Sequence, residues 1–385
     1  MNAVLSKPPL WRRLQPWLSG FDLPLLAILA WLATLGMLCM YSAGYDHGTR
    51  FVDHGRNMLL AAGIMFVVAQ LPPQRLASLA VPLYTVGVTL LVATALFGIT
   101  KKGATRWLNV GIVIQPSEIL KIAVPLMLAW WFQRREGQLR ALDFVVAGMI
   151  LVVPVGLVAK QPDLGTAILI LAAGFYVIFF AGLSWRLIVP AFLLLAIAAG
   201  ALVFSEDRIC QPDVQWPVLR EYQKNRVCTL LDPHKDPLGK GFHIIQGEIA
   251  IGSGGITGKG IMKGTQTHLE FIPERTTDFI FAAYGEEFGL LGALALLAGF
   301  TALILRGLWI ATQAPSLFGR LMAGAVTLSF FTYVFVNMGM VSGILPVVGI
   351  PLPFISYGGT AMVTQGLALG MLMSIAKSRR SFSGK

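Results

Sequence analysis

Charged residues are scarce in this chain of 385 residues. Asp, Glu, Lys and Arg make up 13% of it, whereas 56% of the residues are hydrophobic. Soluble domains carry about 25% charged residues, so this composition excludes a soluble protein and predicts a membrane protein. A cleavable leader is not evident either, because the first apolar run lacks a small-residue exit site and is long enough to span a membrane. We expect that run to remain as the first helix.

Signatures of metal and nucleotide sites are also missing. The five histidines show no spacing typical of a zinc site. The glycine-rich stretch 251–260 departs from the phosphate-binding loop pattern, which would need Gly at Ser253 and a hydroxyl at Gly260. We therefore predict no nucleotide site. The glycines are expected to let the backbone approach a partner or a sugar, with Lys259 and Lys263 able to meet phosphate.

Ten apolar stretches are candidates for membrane helices, which need roughly 17 to 25 residues. We predict them near residues 22–42, 57–71, 78–99, 116–132, 141–159, 164–181, 187–204, 278–304, 321–341 and 354–376. The fold class is therefore an all-α, polytopic membrane protein. Residues 1–385 form one integral membrane domain, and residues 205–277 form a large loop within it.

The distribution of Lys and Arg orients these helices, because short cytoplasmic loops are enriched in them. With the N-terminus inside, the inner segments hold fourteen basic residues and the short outer loops hold six. An even number of spans puts both termini in the cytoplasm and the 205–277 loop outside. The net charge of +11 then comes mostly from the inner edges, which favours contact with anionic lipid headgroups over nucleic-acid binding.

Asp278 stands at the start of the eighth predicted span, in the sequence R-T-T-D-F-I-F. An ionised side chain in hydrocarbon is costly unless it is paired or hydrated, so a carboxylate at the mouth of a span is a functional candidate. Arg275 precedes it, and Glu286 and Glu287 follow inside the apolar segment. We predict that Asp278 is the catalytic residue.

Two further polar groups are predicted at the outer ends of spans. Glu118 and Lys121 lie three residues apart on one face of the fourth helix; they either form an internal ion pair or leave Lys121 to contact the substrate. Asp163 lies in a tight outer turn, where it either only caps the next helix or also binds a ligand. The cations of the outer loop 101–109 are Lys101, Lys102 and Arg106.

The 205–277 loop contains a predicted interfacial helix and two of the three cysteines. Residues 215–231 alternate apolar and basic positions in a pattern suited to a helix on the outer headgroups. Cys210 and Cys228 would face an oxidising compartment, where they either form a disulfide or remain two thiols. Cys39, the third cysteine, lies in the first span.

Together, these predictions give the outer face a carboxylate between water and lipid, with several cations nearby. Such a site suits a reaction on an amphiphile with an anionic leaving group, because cations stabilise the departing charge and the carboxylate can accept a proton. A lipid-linked pyrophosphate sugar meets that description.

Seven motifs in this order resemble the SEDS (shape, elongation, division and sporulation) polymerases, and the resemblance covers nearly the whole chain. They are KGATRWL (102–108), QPSEILKI (115–122), QPDLGT (161–166), LLDPHKDPLGKGFHIIQ (230–246), GSGGITGKG (252–260), PERTTDFIF (273–281) and GILPVVGIPLPFISYGG (343–359). The short tails are similar to those of the rod-shape branch of this family.

The resemblance implies an inner-membrane protein of bacteria whose large loop and active site face the periplasm. It implies a peptidoglycan glycosyltransferase that joins lipid II to a nascent glycan strand by inverting transfer and releases undecaprenyl pyrophosphate. It also implies a class B penicillin-binding protein transpeptidase and other elongation-complex membrane proteins as partners. By position, Asp278 matches the family's essential acid, either as general base or as a ligand of Mg or Mn. Glu118 and Lys121 match its paired charges, and Arg106 and Asp163 match its outer-loop polar positions.

A lipid II flippase is the alternative function, since ten helices with charges inside the membrane would also serve translocation. The predicted polar residues gather at the outer mouth, and no string of charges crosses the bilayer. That distribution favours the polymerase.

Overall fold

The computed structural model describes residues 20–383 except 47, 102–103, 110, 112, 212–213, 215, 217–220, 238, 240 and 273. The chain is predominantly helical, as predicted. Its helices are α1 Leu23–Ala43, α2 Arg50–Val68, α3 Pro73–Ser78, α4 Ala80–Phe97, α5 Pro116–Arg134, α6 Ala141–Lys160, α7 Leu164–Phe180, α8 Trp185–Phe204, α9 Glu206–Ile209, α10 Glu221–Leu231, α11 Phe242–Gly254, α12 Thr265–His268, α13 Ile280–Thr312, α14 Leu317–Val341 and α15 Gly359–Ser383.

Within the described residues, eight helices are long and apolar enough to cross a membrane: α1, α2, α4, α6, α8, α13, α14 and α15. The other two predicted spans are helices as well. α5 carries Glu118, Lys121 and Arg134, and α7 is a shorter apolar helix of 17 residues. The predicted multi-pass membrane fold is confirmed. The boundary of α2 was wrong, because this helix begins at Arg50 and so contains Arg50 and Arg56, which were predicted in an outer loop.

Short polar side chains begin several of the spans. The Asp22 carboxylate accepts a hydrogen bond from Leu25 N at 3.0 Å at the start of α1, and Ser316 Oγ accepts one from Gly319 N at 3.1 Å at the start of α14. Amide groups in the first turn of a helix have no partner within the helix, so these caps satisfy them. The helix starts can therefore be traced to local sequence.

The helices differ in how deeply they are packed. In α14 and in α15, 72% of the most apolar window is buried by other parts of the protein, whereas none of that window is buried in α8. α14 and α15 therefore form the centre of the bundle. α8 lies at its periphery, where its leucines and phenylalanines are exposed.

Residues around 99–114 were predicted as a loop and instead contain a small antiparallel sheet in the order β1-β2-β3. Its strands are β1 Ile99–Lys101, β2 Ala104–Asn109 and β3 Val113–Ile114. Thr105 and Trp107 have the β-branched and aromatic side chains that favour strands. This sheet leads directly into α5, which begins at Pro116.

The large loop contains α10, which lies within the predicted interfacial segment 215–231. The sulfurs of Cys210 and Cys228 are bonded to each other. Close to that disulfide, Lys224 Nζ donates to the carbonyl oxygens of Gln211 and Val214, at 2.6 Å each. The covalent bond and the ammonium group together fasten α10 to the chain that follows α8.

The connection between α14 and α15, residues 342–358, has no regular secondary structure, although six of its residues are buried. It reaches deep into the bundle, since a Cβ on Gly36, inside α1, would lie 2.2 Å from Phe354 O. Irregular backbone at membrane depth is tolerated only where protein surrounds it or where it lines a cavity. Ser356 provides hydrogen-bond partners for part of this backbone, because its Oγ accepts from Leu352 N and donates to Thr277 O.

Candidate active site

Asp278 lies in the turn that precedes α13, and its side chain is half-buried. The backbone of this turn is fastened to the 342–358 loop: Ser356 Oγ donates to Thr277 O at 2.6 Å, and Tyr357 N donates to Thr276 O at 2.8 Å. From α14, Asn337 Nδ2 donates to the carbonyl oxygen of Asp278 at 3.0 Å. The predicted catalytic carboxylate therefore stands on a segment that is fixed by distant parts of the chain.

A glycine of the 342–358 loop faces the Asp278 carboxylate. A Cβ on Gly349 would lie 3.2 Å from Asp278 Oδ2, and the φ angle of Gly349 is +75°. Both facts favour glycine at this position, because other residues rarely adopt positive φ and a side chain would crowd the carboxylate.

Asp163 is both a helix cap and a member of a polar cluster. Its Oδ1 accepts from Thr166 N at 3.3 Å at the start of α7, which confirms the predicted cap. The same oxygen is 3.7 Å from Arg106 Nη1, and Oδ2 accepts from Gln115 Nε2 at 2.9 Å. Arg106 also donates to Pro162 O. The carboxylate is therefore contacted by residues of the sheet, of the start of α5 and of α7.

The 342–358 loop connects this cluster to Asp278. A Cβ on Gly165, two residues after Asp163, would lie 2.7 Å from Val348 O, while the neighbouring Gly349 faces Asp278. The start of α7 and the turn before α13 therefore contact adjacent residues of one segment. On the same segment, Arg226 of α10 donates to Val347 O at 2.6 Å.

Glu118 and Lys121 form the predicted ion pair, with 2.6 Å between Glu118 Oε1 and Lys121 Nζ. Their side chains are 16% and 8% exposed. Thr364 Oγ1 donates to the other oxygen of Glu118 at 3.2 Å, and the ammonium group lies 5.7 Å from the centre of the Tyr333 ring. Lys121 also lines a small cavity between α5, α7, α14 and α15.

Other predicted site residues have different surroundings. Arg275 is buried, and its guanidinium contacts Asp46 Oδ2 at 2.5 Å and donates to Ala43 O. It supports the fold by joining the end of α1 to the turn that carries Asp278. Lys101 ends β1, and Lys102 lies outside the described residues.

The glycines of segment 251–260 were expected to approach a partner or a sugar. For Gly254 and Gly258 this was wrong, because both lie against another part of the same chain. A Cβ on Gly254 would lie 2.1 Å from Gly285 O, and one on Gly258 would lie 2.1 Å from Glu287 O. Lys259, predicted to meet phosphate, instead forms an ion pair with the fully buried Glu286 at 2.7 Å. Glycine is needed at these two positions because the backbone of the segment packs there against the backbone of α13.

Sequence reasoning missed two residues near Asp278. Arg50 donates to Thr276 Oγ1, and its guanidinium carbon is 5.6 Å from the centre of the Tyr357 ring. Arg50 was assigned to a loop, and its pairing with a turn more than 200 residues away has no local signal. Asn337 did have a signal, because a buried amide in an apolar helix needs polar partners.

A dedicated metal cage is not formed within the part of the chain that the structure describes: no three His, Cys, Asp or Glu side chains are grouped to hold a metal ion. Mg²⁺ does not require such a group, because proteins often hold it through one or two carboxylates together with substrate phosphates and water.

The chain is similar to several known proteins. A family profile for FtsW, RodA and SpoVE, described as a cell cycle protein, matches residues 23–381. The peptidoglycan glycosyltransferase MrdB of Escherichia coli K12 is 48% identical over 360 residues, which cover 93% of this chain and 94% of that protein. The peptidoglycan glycosyltransferase RodA of Treponema pallidum is 32% identical and aligns with 93% of this chain and 98% of its own length.

Solved structures agree with the sequence comparisons. A chain from a peptidoglycan synthase complex that coordinates polymerization and crosslinking superimposes with a TM-score of 0.75 at 30% identity and covers 94% of this chain and 99% of its own. The rod shape determining protein RodA of Thermus thermophilus gives a TM-score of 0.69 at 26% identity, with the same coverage. The predicted SEDS resemblance is confirmed. This chain belongs to the FtsW, RodA and SpoVE family of cell cycle proteins.

Proposed function

We propose that this chain is a peptidoglycan glycosyltransferase that polymerises lipid II for cell elongation, with Asp278 as its catalytic carboxylate. The observation that carries the proposal is 48% identity over 93% of the chain to a peptidoglycan glycosyltransferase of Escherichia coli. The surroundings of Asp278 also support it, because the carboxylate is half-buried on a turn fastened by Ser356, Tyr357 and Asn337. A carboxylate held in this way is suited to acting on a bound substrate.

The proposed reaction is an inverting substitution at the anomeric carbon of the lipid-bound donor. The 4-hydroxyl oxygen of the acceptor forms the new bond to this carbon, and the bond to undecaprenyl pyrophosphate breaks with its electron pair. Asp278 accepts the hydroxyl proton as the general base. The cations Arg50 and Arg106, held at Thr276 and at Pro162, add positive potential at this end of the bundle, where it stabilises a departing pyrophosphate.

In its alternative role, Asp278 would instead hold a divalent cation, Mg or Mn, together with oxygens of the substrate, since no three His, Cys, Asp or Glu side chains are grouped to hold a metal among the described residues. When bound, it would neutralise charge on the pyrophosphate. The two roles of Asp278 are separated by an assay with EDTA. If Asp278 holds a metal, activity should be lost on chelation and return when Mn or Mg is added, whereas a general base alone should remain active.

We infer that the site faces the periplasm and that both termini are cytoplasmic. The contacts in the structure support the grouping of the segments, because they join segments assigned to the same side, and the excess of Lys and Arg at one end assigns that end to the cytoplasm. At the predicted inner end, Arg306 pairs with Asp22 and Lys377 donates to Gln70. At the predicted outer end, Arg106 pairs with Asp163.

The catalytic proposal is tested with purified protein and labelled lipid II in detergent. Asp278→Asn should lower polymerisation by about 10²- to 10⁴-fold, the usual loss when a general base is removed. The matched control is Asp53→Asn, which removes a carboxylate that pairs with the exposed Arg56 at 3.2 Å. It should keep normal activity. Near-normal polymer from Asp278→Asn would refute the assignment. Detergent offers no second compartment, so polymer formation also separates this function from a flippase.

Sidedness is tested by labelling single cysteines in a variant that lacks the native ones. Thr257→Cys, exposed after α11, should react with an impermeant maleimide in intact spheroplasts. Gln138→Cys, exposed between α5 and α6, should react only after permeabilisation. Gln138 is preferable to Gly137, whose φ of +79° disfavours a cysteine. The reverse pattern would move Asp278 to the cytoplasmic side and support the flippase.

A class B penicillin-binding protein transpeptidase is the proposed partner. The support is a similar chain that was solved in a peptidoglycan synthase complex coordinating polymerization and crosslinking. Polymerisation measured with and without the purified transpeptidase would show whether the partner changes the rate. An unchanged rate and no co-purification would contradict the pairing.

A further inference from the structure

Asn337 is an amide in an apolar environment. It lies near the end of α14, between Val336 and Met338, and none of its surface is exposed. A buried polar group in a membrane helix is costly unless it finds hydrogen-bond partners, so its contacts indicate what it does.

The two partners of Asn337 are backbone carbonyls from separate segments. Nδ2 donates to Asp278 O at 3.0 Å and to Ile350 O at 2.7 Å. Asp278 belongs to the turn before α13, and Ile350 belongs to the 342–358 loop. One amino group therefore connects two pieces of irregular backbone.

The chemistry of these contacts requires an amide. Both neighbours are acceptors, so the side chain must supply two donors from one atom, and the NH₂ group of Asn does this. The orientation of the amide is decided by the same fact, because the flipped form would aim an oxygen at two carbonyl oxygens. Oδ1 is buried without a hydrogen-bond partner among the described residues, so the amide is oriented by what Nδ2 binds.

The bridge determines where the Asp278 carboxylate lies relative to the loop. Ile350 follows Gly349 in sequence, and a Cβ on Gly349 would lie 3.2 Å from Asp278 Oδ2. By holding Asp278 O and Ile350 O on one nitrogen, Asn337 fixes the separation between the backbone of Asp278 and the glycine that its carboxylate faces.

We infer that Asn337 is a positioning residue for the glycosyl transfer: it holds the Asp278 carboxylate in register with the 342–358 loop. The inference rests on the proposed role of Asp278. Asn337 acts through its contacts with the backbone and touches no reacting atom. Loss of the bridge should therefore slow the chemical step and leave the binding of lipid II nearly unchanged.

The test uses the full-length protein and measures kcat and KM for labelled lipid II together with the thermal unfolding temperature. Asn337→Leu keeps the shape of the side chain and removes both donors. Asn337→Ser keeps one donor in a smaller side chain and serves if the leucine variant does not fold. The matched control is Thr332→Val, one turn earlier in α14, which removes a 2.8 Å hydrogen bond to Tyr176.

We expect Asn337→Leu to lower kcat by about 10- to 100-fold, the scale of a misplacement of about 1 Å, with KM within about twofold of the unaltered protein. The kcat of Asn337→Ser should lie between those of Asn337→Leu and the unaltered protein. Thr332→Val should keep the kcat of the unaltered protein. If both Asn337 variants keep kcat while Asp278→Asn is inactive, the inference is wrong and the proposed function stands. A loss of kcat no larger than the loss of folded protein, or a raised KM alone, would also overturn it. Activity in Asp278→Asn would instead refute the proposed function.

Discussion

The Glu118–Lys121 pair offers a quantitative prediction. Its charges lie 2.6 Å apart with side chains 16% and 8% exposed, so both are largely removed from water. Removing one partner of a buried pair leaves an uncompensated charge and costs about 3 to 5 kcal/mol. Replacing both partners with neutral groups of similar size is often neutral or even stabilising.

The surroundings rank the two single variants. Lys121→Met leaves the Glu118 carboxylate with the Thr364 hydroxyl, whose hydrogen bond is 3.2 Å long. Glu118→Gln leaves the ammonium group near the Tyr333 ring, at 5.7 Å, and a desolvated cation over an aromatic ring gains about 2 kcal/mol. We therefore expect Lys121→Met to destabilise the protein by about 5 kcal/mol and Glu118→Gln to destabilise it by about 3 kcal/mol.

The assay is a double-mutant cycle on the free energy of unfolding in detergent micelles. The double variant should be milder than the sum of the single variants by at least about 3 kcal/mol. Arg320→Ala is the control: its pairing with Glu136 is 3.9 Å long between side chains that are 51% and 53% exposed, and exposed pairs contribute at most about 1 kcal/mol. Additive single effects would refute the reasoning. A loss of activity without a loss of stability in Lys121→Met would place Lys121 on the substrate.

Three further predictions concern residues at the proposed periplasmic face. Gly254→Ala should destabilise the protein, because its Cβ would lie 2.1 Å from a backbone oxygen, whereas Gly252→Ala on the same helix meets nothing within 4 Å; equal unfolding temperatures would contradict this packing. Cys228→Ser opens a disulfide between residues 18 apart and should destabilise the loop by up to about 3 kcal/mol, which proteolysis of the loop would detect. Burial lowers the pKa of His243, with Glu274 opposing the shift; the unfolded chain then binds the proton more readily, so this contribution to stability is complete above about pH 6.5 and is lost as the pH falls. His243→Gln should flatten the dependence of unfolding temperature on pH between about 7 and 5, and an unchanged slope would assign the acid sensitivity to another group.

Several features of the site were predicted because they depend on neighbours in sequence. The Asp163 cap involves an amide three residues ahead, and the Glu118–Lys121 pair follows from helical spacing. The sequence did not predict the surface that a segment contacts when its pattern was compatible with more than one surface. The glycines near 254 and 258 suit close approach to any surface, and only the packed structure shows that this surface is the backbone of α13.

The sequence by itself determined the class of protein, the approximate positions of the helices and the candidate acid at the start of α13, because hydropathy and charge are properties of short segments. The tertiary structure decided which segments meet. Arg50 and Thr276 are 226 residues apart, and Asn337 bridges Asp278 and Ile350 across the 342–358 loop. Such contacts depend on how α1, α2, α14 and α15 pack around an irregular loop, and the physical requirement that every buried polar group find a partner acts only once that packing exists.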